Sequence, residues 1–485
     1  MESTLTFVLL LLAIALRAAA QAQAPATPGS GAPISSRDRI YTGDQSSNTI
    51  TVIDPSTLSV LGTISLGSQR LSDVIGPQYI RGVNSHGLGF SRDGQYIVST
   101  SVTSNTVTVI RTRDNAIVSQ TYTDRQAHEA FFASDNRTVW VGTRGVDHIT
   151  LVDGIEGGVI DTIPSWVLFS PDGQTAYVNH IRSPSIHVLS VATRATLANI
   201  TGLAHPFSSD MMLSADGARL WAAHKLAGVV SVISTSSLRV VAVLDTGAET
   251  NHPSFASVST NGSTTTYGFV TVAARDATRV YVQPDPEAAP RWVRDVKSSG
   301  VEPHGLWPSA DNARMYVVNE HSDTVDEIDL TRGEDGFEVV RTVGVGQEGQ
   351  ALVYVSNAVP EGGEGGKENL GTQGLVGGGS AVLNQVVEVD GGSGDNSSSP
   401  SALVTVRPAV GLDMFQVIGR NLRLNATYEV SAACGGCGGV RIPLLDFVAS
   451  MPIPGQAGCA TAPQVLGFFK FDGVYDVDSL QVREK

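Results

Sequence analysis

With 485 residues and a formal charge of −15, the chain lacks the clustered Lys and Arg that phosphate binding requires, which excludes nucleic acid as an expected partner. No basic run suits an anionic membrane surface either. Only 16% of residues are charged and glycines number 51, a composition that favours short strands and tight turns over long helices.

In chain order, the first feature is an apolar run from Leu5 to Leu16, followed by Arg17 and Ala18-Ala19-Ala20. The run is too short to span a bilayer and ends in small residues, so residues 1–20 read as a cleaved signal peptide. Glu2 stands where a basic residue is usual, and cleavage could follow Ala20, Ala22 or Ala24. No later stretch is long enough for a membrane helix. The expectation is a secreted protein whose partner is an extracellular or cell-wall ligand or protein. Five Asn-x-Ser/Thr sequons, at Asn136, Asn199, Asn261, Asn396 and Asn425, suit that route as glycosylation sites. Asn136 and Asn261 fall in predicted hairpin turns, where a glycan would leave packing undisturbed.

After an Ala/Pro/Gly/Ser linker (residues 21–38), a four-strand unit repeats. Its fullest statement runs from Ser85 to Asp124: strands Leu88–Phe90, Tyr96–Ser99, Thr106–Ile110 and Ala116–Tyr122, with a turn at Ser91-Arg92-Asp93-Gly94. Complete units begin near Ser85, Ala127, Pro206, Asn251 and Pro303, and a shortened one near Trp166. The first unit, Arg39 to Gly67, lacks an innermost strand. The turns align at Asp93-Gly94, Asp135-Asn136, Asp172-Gly173, Asp216-Gly217, Asn261-Gly262 and Asp311-Asn312, residues that tolerate the positive φ of a tight hairpin. Spacings of 42, 37, 44, 45 and 50 residues match four-stranded propeller blades. Asp54, Asp153 and Asp329 follow third strands and are expected to make Asx turns. The lone apolar strand in Gln350–Asn357 is expected to complete the first unit and remove its open edge. Between Pro164 and Trp166 only Ser165 remains, too few residues to cross a blade; either a strand is cut short or a segment is missing from the gene model.

The strings Asp172-Gly-Gln-Thr-Ala-Tyr-Val-Asn179, Tyr316-Val-Val-Asn319 and Ser47-Asn-Thr-Ile-Thr-Val-Ile-Asp54 resemble the YVTN-type β-propeller repeat. The resemblance spans residues 39–359 and implies an all-β, seven-bladed propeller; it implies little about activity, since the scaffold carries many functions.

Residues 360–400 turn to Gly, Ser and Glu and read as a linker with at most a short strand in Ala381–Val389. Alternation resumes over 401–485, at Ala402–Val406, Met414–Ile418, Thr427–Ala432, Val465–Phe471 and Ser479–Val482, as in a small antiparallel sandwich. Its three cysteines, Cys434, Cys437 and Cys459, suggest one disulfide and one spare thiol. The Cys434–Cys437 spacing invites a redox reading, but no strand-to-helix pattern follows it, and structural pairing with Cys459 is favoured.

The ten histidines are unevenly placed. His86, His128, His205, His252 and His304 precede innermost strands; His180, His224 and His321 follow second strands. Because the first two strands of a unit form a hairpin, all eight belong to one mouth of the channel. Neutral imidazoles from successive blades suit a copper or zinc ion. Nitrous oxide reductase is similar in placing a His-bound copper cluster on a propeller, although its electron-entry copper domain has no counterpart here. Propeller lactonases also resemble the chain around Pro303-His304 and Tyr316–Glu320. That resemblance implies His304 as a base and Arg144 as an anion holder, without a Ser-His-Asp set. The leading expectation is an exported binding or surface module with a His-rich channel mouth. A His-ligated metal site and a lactonase-like hydrolase are the alternatives, and no catalytic residue is assigned.

Overall fold

The computed structural model describes residues 31–67, 83–146, 148–163, 166–180, 183–260, 262–362, 365–375, 383–390, 400–408, 413–434, 438–452, 458–461, 465–469 and 475–485. The expected signal peptide and the join at Pro164-Ser165 lie outside them. Seven four-stranded antiparallel sheets account for residues 39–355. In the fullest unit the strands are Gly87–Phe90, Tyr96–Ser101, Thr106–Arg111 and Ala116–Tyr122, each within two residues of its expected bounds.

The local chemistry of the repeat explains why the units fold alike. Gly94, Asn136, Gly173, Gly217, Gly262 and Asn312 all adopt positive φ, between 56° and 80°. Asp54, Asp153 and Asp329 accept the backbone N–H two residues on, at 2.9, 3.0 and 2.9 Å, which closes the Asx turns into the fourth strands. Second and third strands are buried almost throughout, whereas fourth strands are half-exposed. The core therefore lies between sheet faces, around large side chains such as Trp221, whose ring meets Phe255 and Tyr281 edge-on at 5.1 and 5.9 Å.

Each innermost strand adjoins the next: Gly87–Phe90, Ala127–Phe132, Trp166–Phe169, Asp210–Leu213, Thr250–Thr260, Pro303–Pro308 and then Gly349–Val355, which adjoins Gly87–Phe90. Gly349–Val355 pairs with Arg39–Asp44, with Ile40 opposite Tyr354. Tyr354 Oη and the Asn357 N–H both donate to Asp38, at 2.5 and 2.7 Å, so the two chain segments are tied by side chains as well as by the ladder.

The C-terminal region is all-β, and Ala402, Val404 and Val417 share one core with Tyr428, Val430 and Phe447. One seven-stranded sheet runs in the order Arg441–Val448, Thr427–Cys434, Tyr475–Glu484, Leu383–Asp390, Ser401–Pro408, Asp413–Arg420, Val465–Phe469. A small three-stranded sheet of Leu422–Arg423, Cys459–Thr461 and Met451–Pro452 accompanies it. Leu383–Asp390, where the sequence allows a short strand within a linker, is an interior strand and pairs in parallel with Tyr475–Glu484. Alternation within eight residues flanked by glycines did not reveal that partner, because the pairing is non-local. The preceding segment is also engaged: Thr63 exchanges backbone hydrogen bonds with Gly371 at 2.9 and 2.8 Å. Cys434 is disulfide-bonded, and Cys437 lies outside the described residues.

Asn199 and Asn425 are exposed, as a glycan requires. Asn136 is half-buried, and its Oδ1 accepts the Arg92 N–H at 2.7 Å, so this turn is packed against the neighbouring sheet rather than open. Asn261 and Asn396 lie outside the described residues.

Asp44, at the end of the strand that pairs with Gly349–Val355, is wholly buried and accepts from the hydroxyls of Thr42, Thr49 and Thr51 at 2.7, 3.0 and 2.6 Å. Burial outweighs those donors and lifts its pKa from 3.8 to about 7. An acid whose folded pKa is raised holds more protons in the folded state. The stability it contributes is complete below the unfolded pKa and is lost as pH rises through about 7. Melting temperatures of wild type and Asp44→Asn should therefore diverge, with wild type losing ground from about pH 4 to about pH 7.5. A constant difference across that range would sink the assignment.

Candidate functional site

The repeat that builds the sheets also sets the pitch of the histidines. Thr100 Oγ1 donates to the backbone carbonyl of His128 at 2.7 Å, and Thr271 Oγ1 does the same to His304 at 2.7 Å. Asn179 and Asn251 use their side-chain amides likewise on Ser208 and Pro303, at 3.0 and 3.1 Å. Thr100, Asn179 and Thr271 thus hold, from second strands, the chain at the start of the next sheet, and Asn251 does so from an innermost strand. Close approach demands glycine after two of the histidines: a Cβ on Gly87 would stand 2.0 Å from the His128 carbonyl oxygen, and one on Gly305 2.6 Å from that of Gln350.

Four of the eight expected histidines come together at the channel. The rings of His86 and His128 are 4.2 Å apart, those of His252 and His304 4.5 Å. His86, His252 and His304, with Glu129 and Asp210, line one cavity of about 50 Å³. The Nδ1 atoms face outward: His86 to Gln45 Oε1 at 2.7 Å, His252 to Asp210 Oδ2 at 2.8 Å and His304 to the Gln350 carbonyl at 2.8 Å. His128 Nδ1 lies 3.1 Å from Glu129 Oε1. The Nε2 atoms of His86 and His128 are only 2.6 Å apart, so one donates to the other.

Electrostatics keep three of the rings, His86, His128 and His304, neutral. Burial, then the Arg144 guanidinium, pulls His86 and His128 well below the usual range; burial, then His252, does so for His304. Burial pushes Glu129 well above the carboxylate range, with Asp210 adding to the effect. Arg144 itself is drawn down to about 10 by burial.

His321 sits apart from this quartet among carboxylates. Its Nε2 is 3.2 Å from Glu302 Oε2, and Lys225 Nζ is 3.5 Å from Glu302 Oε1. Burial opposes its charge, but Glu320 and Glu302 raise His321 to about 9. Burial raises Glu320 to about 8, while His321 and Lys225 overcome burial to hold Glu302 well below the usual range.

The remaining three expected positions do not join. His224 uses both nitrogens structurally, Nδ1 on the Phe207 carbonyl at 3.1 Å and Nε2 with Ser231 Oγ at 2.8 Å. His205 Nδ1 accepts the Phe207 N–H at 3.0 Å. His180 pairs with His187, Nε2 to Nδ1 at 3.2 Å. Strand topology puts all of them at one end of the ring, but separation around it keeps them from meeting.

Two residues of the C-terminal sheet reach the same mouth, a contact that the sequence does not signal. Gln416, fully buried, donates from Nε2 to Glu348 Oε1 at 2.8 Å. Arg420 Nη1 donates to both oxygens of Asp276 at 3.1 Å, and Asp276 Oδ1 accepts the Glu302 N–H at 3.0 Å. The sheet roofs the mouth.

No protein-family model matches the chain, and no curated protein does. Among solved structures, a protein from Lactobacillus plantarum is 12% identical over 66% of this chain and 99% of its own, with a TM-score of 0.53. A 6-phosphogluconolactonase-like protein from Bacteroides fragilis is 12% identical over 67% and 99%, with a TM-score of 0.52. The β-propeller domain of Cps50 (Swd1) from Myceliophteria thermophila is 13% identical over 62% and 93%, with a TM-score of 0.46. The fold is a β-propeller; at these identities the likeness speaks of fold alone.

Gly87→Ala should destabilise the protein by about 1–3 kcal/mol, read from the urea midpoint at unchanged slope. A neutral result would mean that the innermost strands stand further apart than described.

Proposed function

We propose that the protein is an exported binding module of the seven-bladed, YVTN-type propeller kind, and that its ligand is a transition-metal ion held at the roofed channel mouth. His86, His252 and His304 are the ligands, with His128 as the fourth imidazole; no three of these rings yet hold ligand atoms within 4.8 Å of one another, so binding draws the His86–His128 and His252–His304 pairs together. One observation carries this reading: the Nδ1 atoms of the three cavity histidines all face oxygen acceptors, at 2.7, 2.8 and 2.8 Å. Nδ1–H donation to those acceptors leaves Nε2 of each ring with its lone pair, the arrangement that orients metal-bound histidines. Neutral imidazoles favour copper or zinc. A tetrahedral ion with bonds of about 2.0–2.1 Å holds its nitrogens roughly 3.3 Å apart, so binding opens the His86–His128 contact and displaces the proton between them.

Lactone hydrolysis is the weaker reading. A cavity of about 50 Å³ takes an ion with a few waters, far below the ~300 Å³ at which small-molecule pockets begin.

Secreted protein purified without added metal, and apoprotein titrated with Cu(II) or Zn(II), should each hold at least one ion per chain. His252→Ala and His304→Ala should each remove one ion per chain, and His180→Ala should remove none. Asp210→Asn, which keeps every imidazole, should weaken binding about 10–100-fold. Stoichiometry well below one ion per chain, or indifference to the His252 and His304 variants, would remove the proposal. Sugar-lactone turnover lost with His304→Ala would install the alternative.

A further inference from the structure

Beside the imidazole cavity lies a second set of donors, of different chemistry. One ligand atom from each of Glu302, Glu320 and His321 lies within 4.8 Å of the others, and all three residues are buried. The backbone fixes the spacing: the Glu320 N–H donates to the Glu302 carbonyl at 2.9 Å and the His321 N–H to the Val301 carbonyl at 3.2 Å. Two side-chain contacts hold the carboxylates. Gln350 Nε2 donates to Glu320 Oε1 at 2.6 Å, and His321 Nε2 lies 3.2 Å from Glu302 Oε2. His321 Nδ1 is buried with no hydrogen-bond partner, in a ring only 5% exposed, so the imidazole has donor capacity that the fold does not use.

We propose that Glu302, Glu320 and His321 form a second cation site, for a divalent ion of the Mn(II) class. Two carboxylate oxygens and one nitrogen suit a harder ion than four imidazoles do. Bonds of about 2.0–2.2 Å place neighbouring donors roughly 3 Å apart and opposite ones roughly 4.3 Å apart, so the observed set needs only a small contraction. Without an ion, Lys225 supplies the positive charge, its ammonium 3.5 Å from Glu302 Oε1. Its side chain is 34% exposed, so it can withdraw to solvent on its own stem when an ion enters. Binding frees the proton of His321 and any proton on Glu320 to solvent, and no bond to carbon is made or broken. Arg420 and Glu249 are further charged groups that interact electrostatically with Glu302.

The site takes no ligand from the channel imidazoles, although Glu320 Oε2 stands 3.7 Å from His304 Nε2, and its test is therefore run with a different ion and different variants from the copper or zinc reading. The test is a titration of the full chain, stripped of metal, with Mn(II), read by loss of the free Mn(II) electron paramagnetic resonance signal. One Mn(II) per chain is expected. Glu320→Gln and His321→Ala should each weaken binding by roughly tenfold or more, while His252→Ala leaves it unchanged. Lys225→Met, which removes the competing ammonium and keeps the stem, should tighten binding about tenfold. That gain cannot come from a damaged fold. No binding at about 1 mM Mn(II), or binding indifferent to Glu320→Gln and His321→Ala, would overturn the site. So would binding that Lys225→Met leaves unchanged or weakens.

Discussion

The structure depends on how closely the innermost strands approach one another around the channel. Their edges cannot all be satisfied by ladder bonds within a sheet, so side chains of the neighbouring sheet, mostly from its second strand, complete them. Thr100 and Thr271 reach the carbonyls of His128 and His304, and Asn179 and Asn251 reach those of Ser208 and Pro303. A hydrogen bond of this kind is worth about 1 kcal/mol net, but a buried carbonyl left without one costs more. The same contact therefore stabilises the ring and aligns whatever side chain that innermost residue carries. Here the residue is repeatedly histidine, and aligned backbones deliver imidazoles into contact in pairs.

How much of this was legible depended on how local each cause is. Turn residues act within four positions, which is why Gly94, Asn136, Gly173, Gly217, Gly262 and Asn312 marked the hairpins correctly, and Asp54, Asp153 and Asp329 the Asx turns. That the histidines share one end of the ring follows from hairpin topology alone. Which of them touch does not: His224 and His205 obey the same positional rule as His252, yet their nitrogens serve Phe207 and Ser231. Glu302 and Glu320 escaped notice because only histidines were aligned. Both stand one or two residues from a channel histidine, in a chain with few charges, and that proximity was the available signal.

The roof was invisible for a different reason. Leu383–Asp390 pairs with Ser401–Pro408 nearby and with Tyr475–Glu484 across nearly the whole domain, so its role cannot be read from its own composition. Gln416 and Arg420 lie on the strand that faces the propeller and find partners on Glu348 and Asp276. By excluding water, the sheet lowers the dielectric around Glu302, Glu320 and His321 and strengthens every interaction among them.

The two ends of the ring solve the same packing problem with different chemistry, and the contrast bears on function. At the turn end, buried polar groups spend themselves on backbone. Arg92 donates to the carbonyls of Pro171 and Ser170, Arg219 to those of Gln283 and Pro284, and Asn136 and Asn312 accept backbone N–H groups of the adjacent sheet. Nothing there calls for clustered carboxylates or imidazoles. At the histidine end, His86, His128, His252, His304, Glu129, Glu302, Glu320 and His321 face one another instead. Burying such groups costs several kcal/mol per charge before their mutual attraction returns any of it. Where the turn end does bury charge, it pairs it within the fold, Glu327 with Arg314 at 3.0 Å and Arg341 at 2.6 Å. On the proposed reading, an ion at the mouth is the ligand that would turn the desolvation of its imidazoles and carboxylates into binding energy.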